Sequence, residues 1–189
     1  LLPSLEGSIP PKYLKRQRAY RLLERLNVDE NSPFRSRIKT ETNKTDPQAV
    51  IKDLSVLKMI ENSFENGILA LYPKSEQEPY KILRNYWTAV SETFPKAWGL
   101  PPRQSRLTHG VGIVSMGYLM DAIVGRLRAE KTAVAIPFVK RELKRFKDLP
   151  WCSGFWEFSE DLKMPWDQVQ NTNLHIGMVS NFLVRGSKS

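Results

Sequence analysis

The chain has 189 residues, with 29 Lys and Arg against 20 Asp and Glu, and 41% of its residues are hydrophobic. This composition suits a single globular domain spanning residues 1–189, and it excludes a collagen-like chain, a disulfide scaffold and a mostly disordered protein. One cysteine, Cys152, cannot form an internal disulfide or a Cys-rich zinc site, and with only two histidines we expect no metal centre. A reducing, cytoplasmic setting fits, and the net charge of +9 favours an acidic partner, nucleic acid first.

The first predicted element is a helix over residues 12–26. Helical spacing places four apolar residues on one face and three arginines on the other, namely Arg18, Arg21 and Arg25. Residues 29–46 are polar and predict a loop, after which Asp46-Pro47 is typical of a second helix start. Because Leu1 is not a start methionine and no signal peptide follows it, we expect the chain to be the C-terminal part of a longer protein.

The middle of the chain predicts two further helices. Ser75-Glu76-Gln77-Glu78 resembles a capping box that opens a helix ending at Pro95. Residues 110–125 are apolar all round except for Asp121, and we interpret them as a buried central helix capped by Thr108. The stretch is shorter than a membrane span, so no membrane partner is expected.

The last third predicts a two-faced basic helix, an aromatic segment and a final helix. The basic helix covers about residues 132–147, and the aromatic segment covers about residues 151–166 with a short strand at 154–158. Asn171 or Thr172 is expected to cap the final helix. The predicted fold is therefore mostly α: a multi-helix globular domain with a buried central helix and a short irregular or β aromatic segment.

The excess positive charge is concentrated in two segments. Residues 1–45 carry 10 basic and 5 acidic side chains, and residues 103–147 carry 10 and 3. Each segment contains one basic helix face, and together these faces could bind phosphates. The alternative is a solvated outer face. The candidate residues on the second helix are Lys140, Arg141, Lys144 and Lys147.

The turn at residues 106–112 is the other candidate site. Arg103, Arg106 and His109 lie just before two glycines that open the central helix, where backbone amides can bind a phosphate. The segment matches neither a Walker A motif nor Gly-x-Gly-x-x-Gly, so close packing is the alternative role of the glycines. No catalytic set is specified. The aromatic residues of segment 151–166 could stack on bases, although a core role is the simpler interpretation.

Several blocks of the sequence resemble the C-terminal half of DGQHR-domain proteins, a family that includes the DNA sulfur-modification protein DndB and its relative DpdB. The blocks lie at residues 86–98, 105–113, 151–158 and 170–172, and the opening residues 2–7 with Asn31-Ser32-Pro33-Phe34 are similar too. The family's Asp-Gly-Gln-His-Arg signature is absent from the 189 residues. The resemblance therefore transfers no catalytic residue to this chain.

The resemblance implies an accessory, DNA-binding component of a bacterial DNA-modification and phage-defence system, acting on phosphorothioate or 7-deazaguanine DNA. Duplex DNA is then the expected partner, with modification enzymes as further partners. Two alternatives stay open: an ATPase or ParB-like nuclease whose active site lies in a preceding N-terminal half, and a transcriptional repressor of a modification operon. No cofactor is expected in this chain, although ATP could bind the longer protein. A helical module that binds only protein is the simplest alternative.

Overall fold

A computed structural model describes residues 10–188, and the prediction for residues 2–7 lies outside that range. Within it the chain is mostly helical, as predicted. The α-helices are α1 (Pro11–Val28), α2 (Asp53–Asn66), α3 (Gln77–Thr93), α4 (Gly110–Ala129), α5 (Ile136–Leu143) and α6 (Asn173–Gly186). The strands are β1 (Ile38–Lys39), β2 (Ile51–Lys52), β3 (Phe155–Ser159) and β4 (Leu162–Pro165).

Helix α4 is the central element of the core, as the uninterrupted apolar stretch predicted. It packs against α2 on one side and α6 on another. Its length and composition would suffice to cross a membrane, but 67% of its most apolar window is buried inside the fold. Packing against neighbouring helices removes the apolar side chains of α4 from water, as a lipid environment would.

Helices α4 and α6 run parallel to each other. The Ser115 hydroxyl donates a hydrogen bond to the carbonyl oxygen of Ile176 at 3.3 Å, and the Arg126 guanidinium donates one to the carbonyl oxygen of Ser187 at 2.6 Å. Both bonds join residues 61 positions apart, so contacts advance in the same direction along the two helices. The N-termini of α4 and α6 therefore lie at one end of the molecule and their C-termini at the other.

Helix α3 is joined to this core by a buried tyrosine. Tyr86 is completely buried and its hydroxyl donates a hydrogen bond to the carbonyl oxygen of Met116 in α4 at 2.8 Å. Helix α1 packs on α2 and α3 through its predicted apolar face, whose buried residues are Ala19, Leu22, Leu23 and Leu26. Helix α5 packs on α3. Both α1 and α5 therefore pack on α3.

The carboxylate of Asp121 is largely buried inside the core. It accepts hydrogen bonds from the Ser63 hydroxyl, at 2.5 Å, and from the backbone amide of Ile68, at 3.0 Å. Burial raises the pKa of Asp121 above its usual value, while these two hydrogen bonds oppose that rise. The carboxylate stabilises the start of the short 3₁₀ helix Ile68–Leu71 that follows α2.

The predicted helix start at Asp46-Pro47 is wrong, because α2 begins at Asp53. The Asp46 carboxylate instead accepts a hydrogen bond from the amide of Gln48, at 2.8 Å, in a turn. Strand β2 follows, and it pairs in parallel with β1. Strand β1 lies inside the segment 29–46 that was predicted as loop. A side chain that caps a helix also caps an isolated turn, so the local pattern does not distinguish the two.

The aromatic segment forms an antiparallel hairpin of β3 and β4, so the predicted short strand is confirmed and has a partner. Trp151 and Trp156 are buried and pack edge to face with ring centroids 5.1 Å apart. Phe155 stays 54% exposed. The hairpin leads to α6, where the Thr172 hydroxyl accepts a hydrogen bond from the amide of His175, which confirms Thr172 as the cap.

Candidate nucleic-acid interface

The three arginines on α1 are bound to the start of α3. Arg18 donates two hydrogen bonds, to the carbonyl oxygens of Tyr72 and Ser75 at 2.9 and 2.8 Å. Arg21 forms an ion pair with Glu76. Arg25 donates a hydrogen bond to the side chain of Gln77 and lies 3.6 Å from the Tyr80 ring centroid. These guanidiniums therefore join α1 to the rest of the fold through hydrogen bonds, an ion pair and a contact with an aromatic ring.

The cations on α5 are more exposed. Lys140 forms an ion pair with Glu92 near the end of α3, at 2.8 Å. Arg141 lies 3.6 Å from its neighbour Glu142, whose other oxygen contacts Arg126. Lys144 and Lys147 are exposed and close the basic run.

The two basic helix faces contact α3 at two separate points. Arg25 contacts α3 at Gln77, and Lys140 contacts it at Glu92. At about 1.5 Å per residue, these two points on α3 lie about 22 Å apart along its axis. The contacts of the two basic faces are therefore separated by most of the length of α3.

The fold instead brings α5 to the C-terminal end of α6. The guanidinium of Arg145 donates hydrogen bonds to the carbonyl oxygens of Gly186 and Ser187, at 3.1 and 3.2 Å. These contacts place the basic run beside the exposed Arg185 and Lys188. We call this set the C-terminal basic surface; its members are Lys140, Arg141, Lys144, Arg145, Lys147, Arg185 and Lys188.

Three members of this surface were missed in the sequence. Arg145 follows Arg141 by four residues, so helical spacing places both on one face and could have included Arg145. Arg185 and Lys188 stand in a segment with net negative charge, and only the fold brings them next to α5.

Arg106 is a buried structural residue. Its guanidinium donates hydrogen bonds to the carbonyl oxygen of Pro102, at 2.5 Å, and to that of Asp167, and it lies 5.6 Å from the Trp166 ring centroid. These contacts hold the turn before α4 against the segment before α6. Its Nε is buried without a hydrogen-bond partner in the part of the chain that the structure describes. Arg103 is exposed in the preceding turn.

The glycines of the 106–112 turn are sites of close packing. A Cβ at Gly112 would overlap the carbonyl oxygen of Arg106 and the backbone of Leu107, and one at Gly110 would overlap the Asn171 side chain. Backbone atoms therefore fill the space beside Gly112, and the Asn171 side chain fills the space beside Gly110.

His109, and not Thr108 as predicted, caps α4. Its Nδ1 accepts a hydrogen bond from the amide of Val111 at 3.4 Å, while the Thr108 hydroxyl donates to the carbonyl oxygen of Leu100 at 2.6 Å. Burial, with smaller contributions from Arg106 and Lys52, lowers the pKa of His109 to about 4. The imidazole is therefore neutral at neutral pH and adds no charge to a phosphate site.

The predicted site residues therefore lie in three places: on α1, on α5 with the turn after it, and in the turn before α4. The fold and its charges define a helical protein with a basic surface where α5 meets the end of α6. Searches against family models, curated proteins and solved structures give no match. Among residues 10–188, no group of three or more His, Cys, Asp or Glu side chains is placed to hold a metal ion.

Proposed function

We propose that this protein binds nucleic acid, with duplex DNA as the partner, through the C-terminal basic surface. The observation that carries the proposal is the pair of hydrogen bonds from Arg145 to the last turn of α6, because they bring cations from two distant segments together. Rigidly held cations along one surface bind the phosphate backbone by releasing counterions.

The availability of these cations also supports the proposal. Among the described residues, Lys144, Arg145, Arg185 and Lys188 form no ion pair with a carboxylate. Arg145 also donates to two backbone carbonyl oxygens, but it is exposed. On α1, by contrast, Arg18 and Arg25 are only partly exposed and Arg21 is paired with Glu76. Phosphate contacts are therefore assigned to the C-terminal basic surface and not to α1.

The biological setting remains a proposal that rests on the resemblance to DGQHR-domain proteins. It places the protein in the cytoplasm as an accessory component of a DNA-modification and defence system. An ATPase or nuclease completed by a longer chain would hydrolyse nucleotide or DNA only in that longer form. A repressor would bind one promoter far more tightly than random DNA, whose nonspecific Kd is about 10⁻⁴–10⁻⁶ M.

The proposal is tested by fluorescence anisotropy with a labelled random duplex across a salt titration. We expect affinity to fall steeply with salt, with a slope of about 0.9 for each phosphate that is contacted. The double variant Lys144→Glu with Arg185→Glu should reduce that slope by about 2. Circular dichroism verifies that each variant is folded.

The matched control reverses two exposed lysines elsewhere, Lys74→Glu with Lys81→Glu, and changes the net charge by the same amount. It should keep most of the slope of the unchanged protein. Equal losses in both double variants would mean that net charge alone drives binding. Absence of salt-dependent binding in the unchanged protein would refute the proposal.

A further inference from the structure

A groove of about 550 Å³ opens beside the C-terminal basic surface, between α6, β3 and the 3₁₀ turn that follows α5. Its walls include Phe146, Phe158, Met178 and Phe182, and it is bordered by the exposed Arg145 and Arg185. The volume lies in the range of about 300–1,000 Å³ that is typical of sites for small molecules and groups. No carboxylate is among the residues that line it in the described chain.

The aromatic walls are held in place by packing from behind. Phe158 stacks on the buried Trp156, with ring centroids 5.8 Å apart and planes within 5° of parallel. Phe182 meets both rings edge-on, at 5.7 Å from Trp156 and 6.1 Å from Phe158. These contacts therefore hold the rings of the groove wall in place, and little side-chain entropy is lost when a planar ligand packs against them.

We propose that this groove accepts an unstacked base of single-stranded DNA, with Arg145 and Arg185 binding the phosphates on either side of it. The inference rests on the proposed function and adds single-stranded DNA as a second ligand of the same basic surface. Arg145 belongs to both the groove and the C-terminal basic surface, so one strand can contact both. Stacking on aromatic rings tolerates any base, while the cations follow the backbone.

Charge complementarity decides between the possible occupants. An uncharged apolar ligand would leave the charges of both arginines without a counter-ion, whereas a nucleotide segment offers its base to the apolar walls and its phosphates to the arginines. The exposed amide of Asn181 also lines the groove and offers a donor and an acceptor to a base edge. The occupant therefore needs a planar ring and flanking anions.

Photocross-linking tests the contact on the unaltered protein. A short oligothymidine carrying one 5-iodouracil is irradiated in the complex, and the linked peptide is identified by mass spectrometry. We expect the linkage at Phe158, Met178 or Phe182. A linkage confined to aromatic residues outside the groove, such as Tyr13 or Trp166, would overturn the inference.

Affinity measurements with a matched pair of variants test the stacking. Phe158→Leu keeps an apolar side chain but removes the ring, and it should weaken oligothymidine binding roughly 10-fold with the salt slope unchanged. The control Phe155→Leu changes an exposed ring on the same strand, outside the groove, and should leave affinity unchanged. Duplex affinity should not change in either variant.

The outcomes separate this inference from the proposed function. Salt-dependent duplex binding without any effect of Phe158→Leu on oligothymidine would overturn the groove assignment and leave the proposed function standing. Failure to bind either form of DNA would overturn both. Binding of an acidic, phenylalanine-containing peptide that oligothymidine cannot displace would assign the groove to a protein partner and overturn the inference.

Discussion

The close packing around α4 predicts that the same substitution has opposite effects at two positions of one helix. Gly112 and Gly125 both lie in α4, and each is changed to Ala. A Cβ at Gly112 would overlap backbone atoms of Arg106 and Leu107, which cannot move without shifting the chain. A Cβ at Gly125 would have no neighbouring atom within 4 Å.

The expected sizes follow from two opposing contributions. Replacing Gly by Ala inside a helix stabilises it by about 1 kcal/mol. At Gly125 nothing opposes this gain, so Gly125→Ala should raise the free energy of unfolding by about that amount. At Gly112 the overlap should cost about 3 kcal/mol, the upper part of the range for overpacking, because backbone must move. The net loss for Gly112→Ala is then about 2 kcal/mol.

Urea unfolding monitored by tryptophan fluorescence, together with thermal melts, measures this difference. At about 2–4 °C per kcal/mol for a chain of this size, the two variants should differ in Tm by roughly 10 °C. Gly117→Ala is an intermediate case, because its Cβ would meet the flexible side chain of Met59. Equal shifts for Gly112→Ala and Gly125→Ala would refute the packing of α4 against residues 106–107.

Two further predictions concern the turn before α4. Because the pKa of His109 is lowered to about 4 in the folded protein from 6.5, the unfolded chain takes up this proton first. The free energy of unfolding should keep its full value above about pH 6.5 and fall by about 1–2 kcal/mol toward pH 4, after allowance for the partial exposure of His109. The variant His109→Asn should lack this loss in urea unfolding measured across the same pH range. Arg106→Lys cannot reach both carbonyl oxygens and should cost about 2 kcal/mol of stability. Its duplex affinity should stay unchanged, and a lower salt slope would contradict the structural role of Arg106.

The sequence predicted best those elements whose pattern is long and repeated. The apolar face of α1 and the continuous apolar run of α4 extend over several helical turns, so each residue supports the same interpretation. Burial of these elements follows directly from their composition. Helix caps were predicted less well: Thr172, one of two candidates, caps α6, whereas the Thr108 hydroxyl does not cap α4.

Strand pairing and side-chain contacts that involve distant segments of the chain were predicted poorly from the sequence. The pairing of β1 with β2 involves two residues on each strand, which is too short for any periodicity. Nothing near Arg18 or Arg21 in the sequence shows that Arg18 binds the loop before α3 or that Arg21 pairs with Glu76. The candidate site changed for the same reason, since Arg185 lies next to Arg145 only through tertiary contacts.

The parallel course of α4 and α6 favours positive charge at the end of the fold where both helices finish. Both helices direct their C-terminal carbonyl groups to that end, where partial negative charge favours cations. Arg126 and Arg145 bind the last carbonyl oxygens of α6, and Arg126 also pairs with Glu142. Part of the basic excess thus serves the helix ends. The same contacts fix Arg145 beside the groove, so a phosphate there would meet a guanidinium that is already ordered and pays little further entropy on binding.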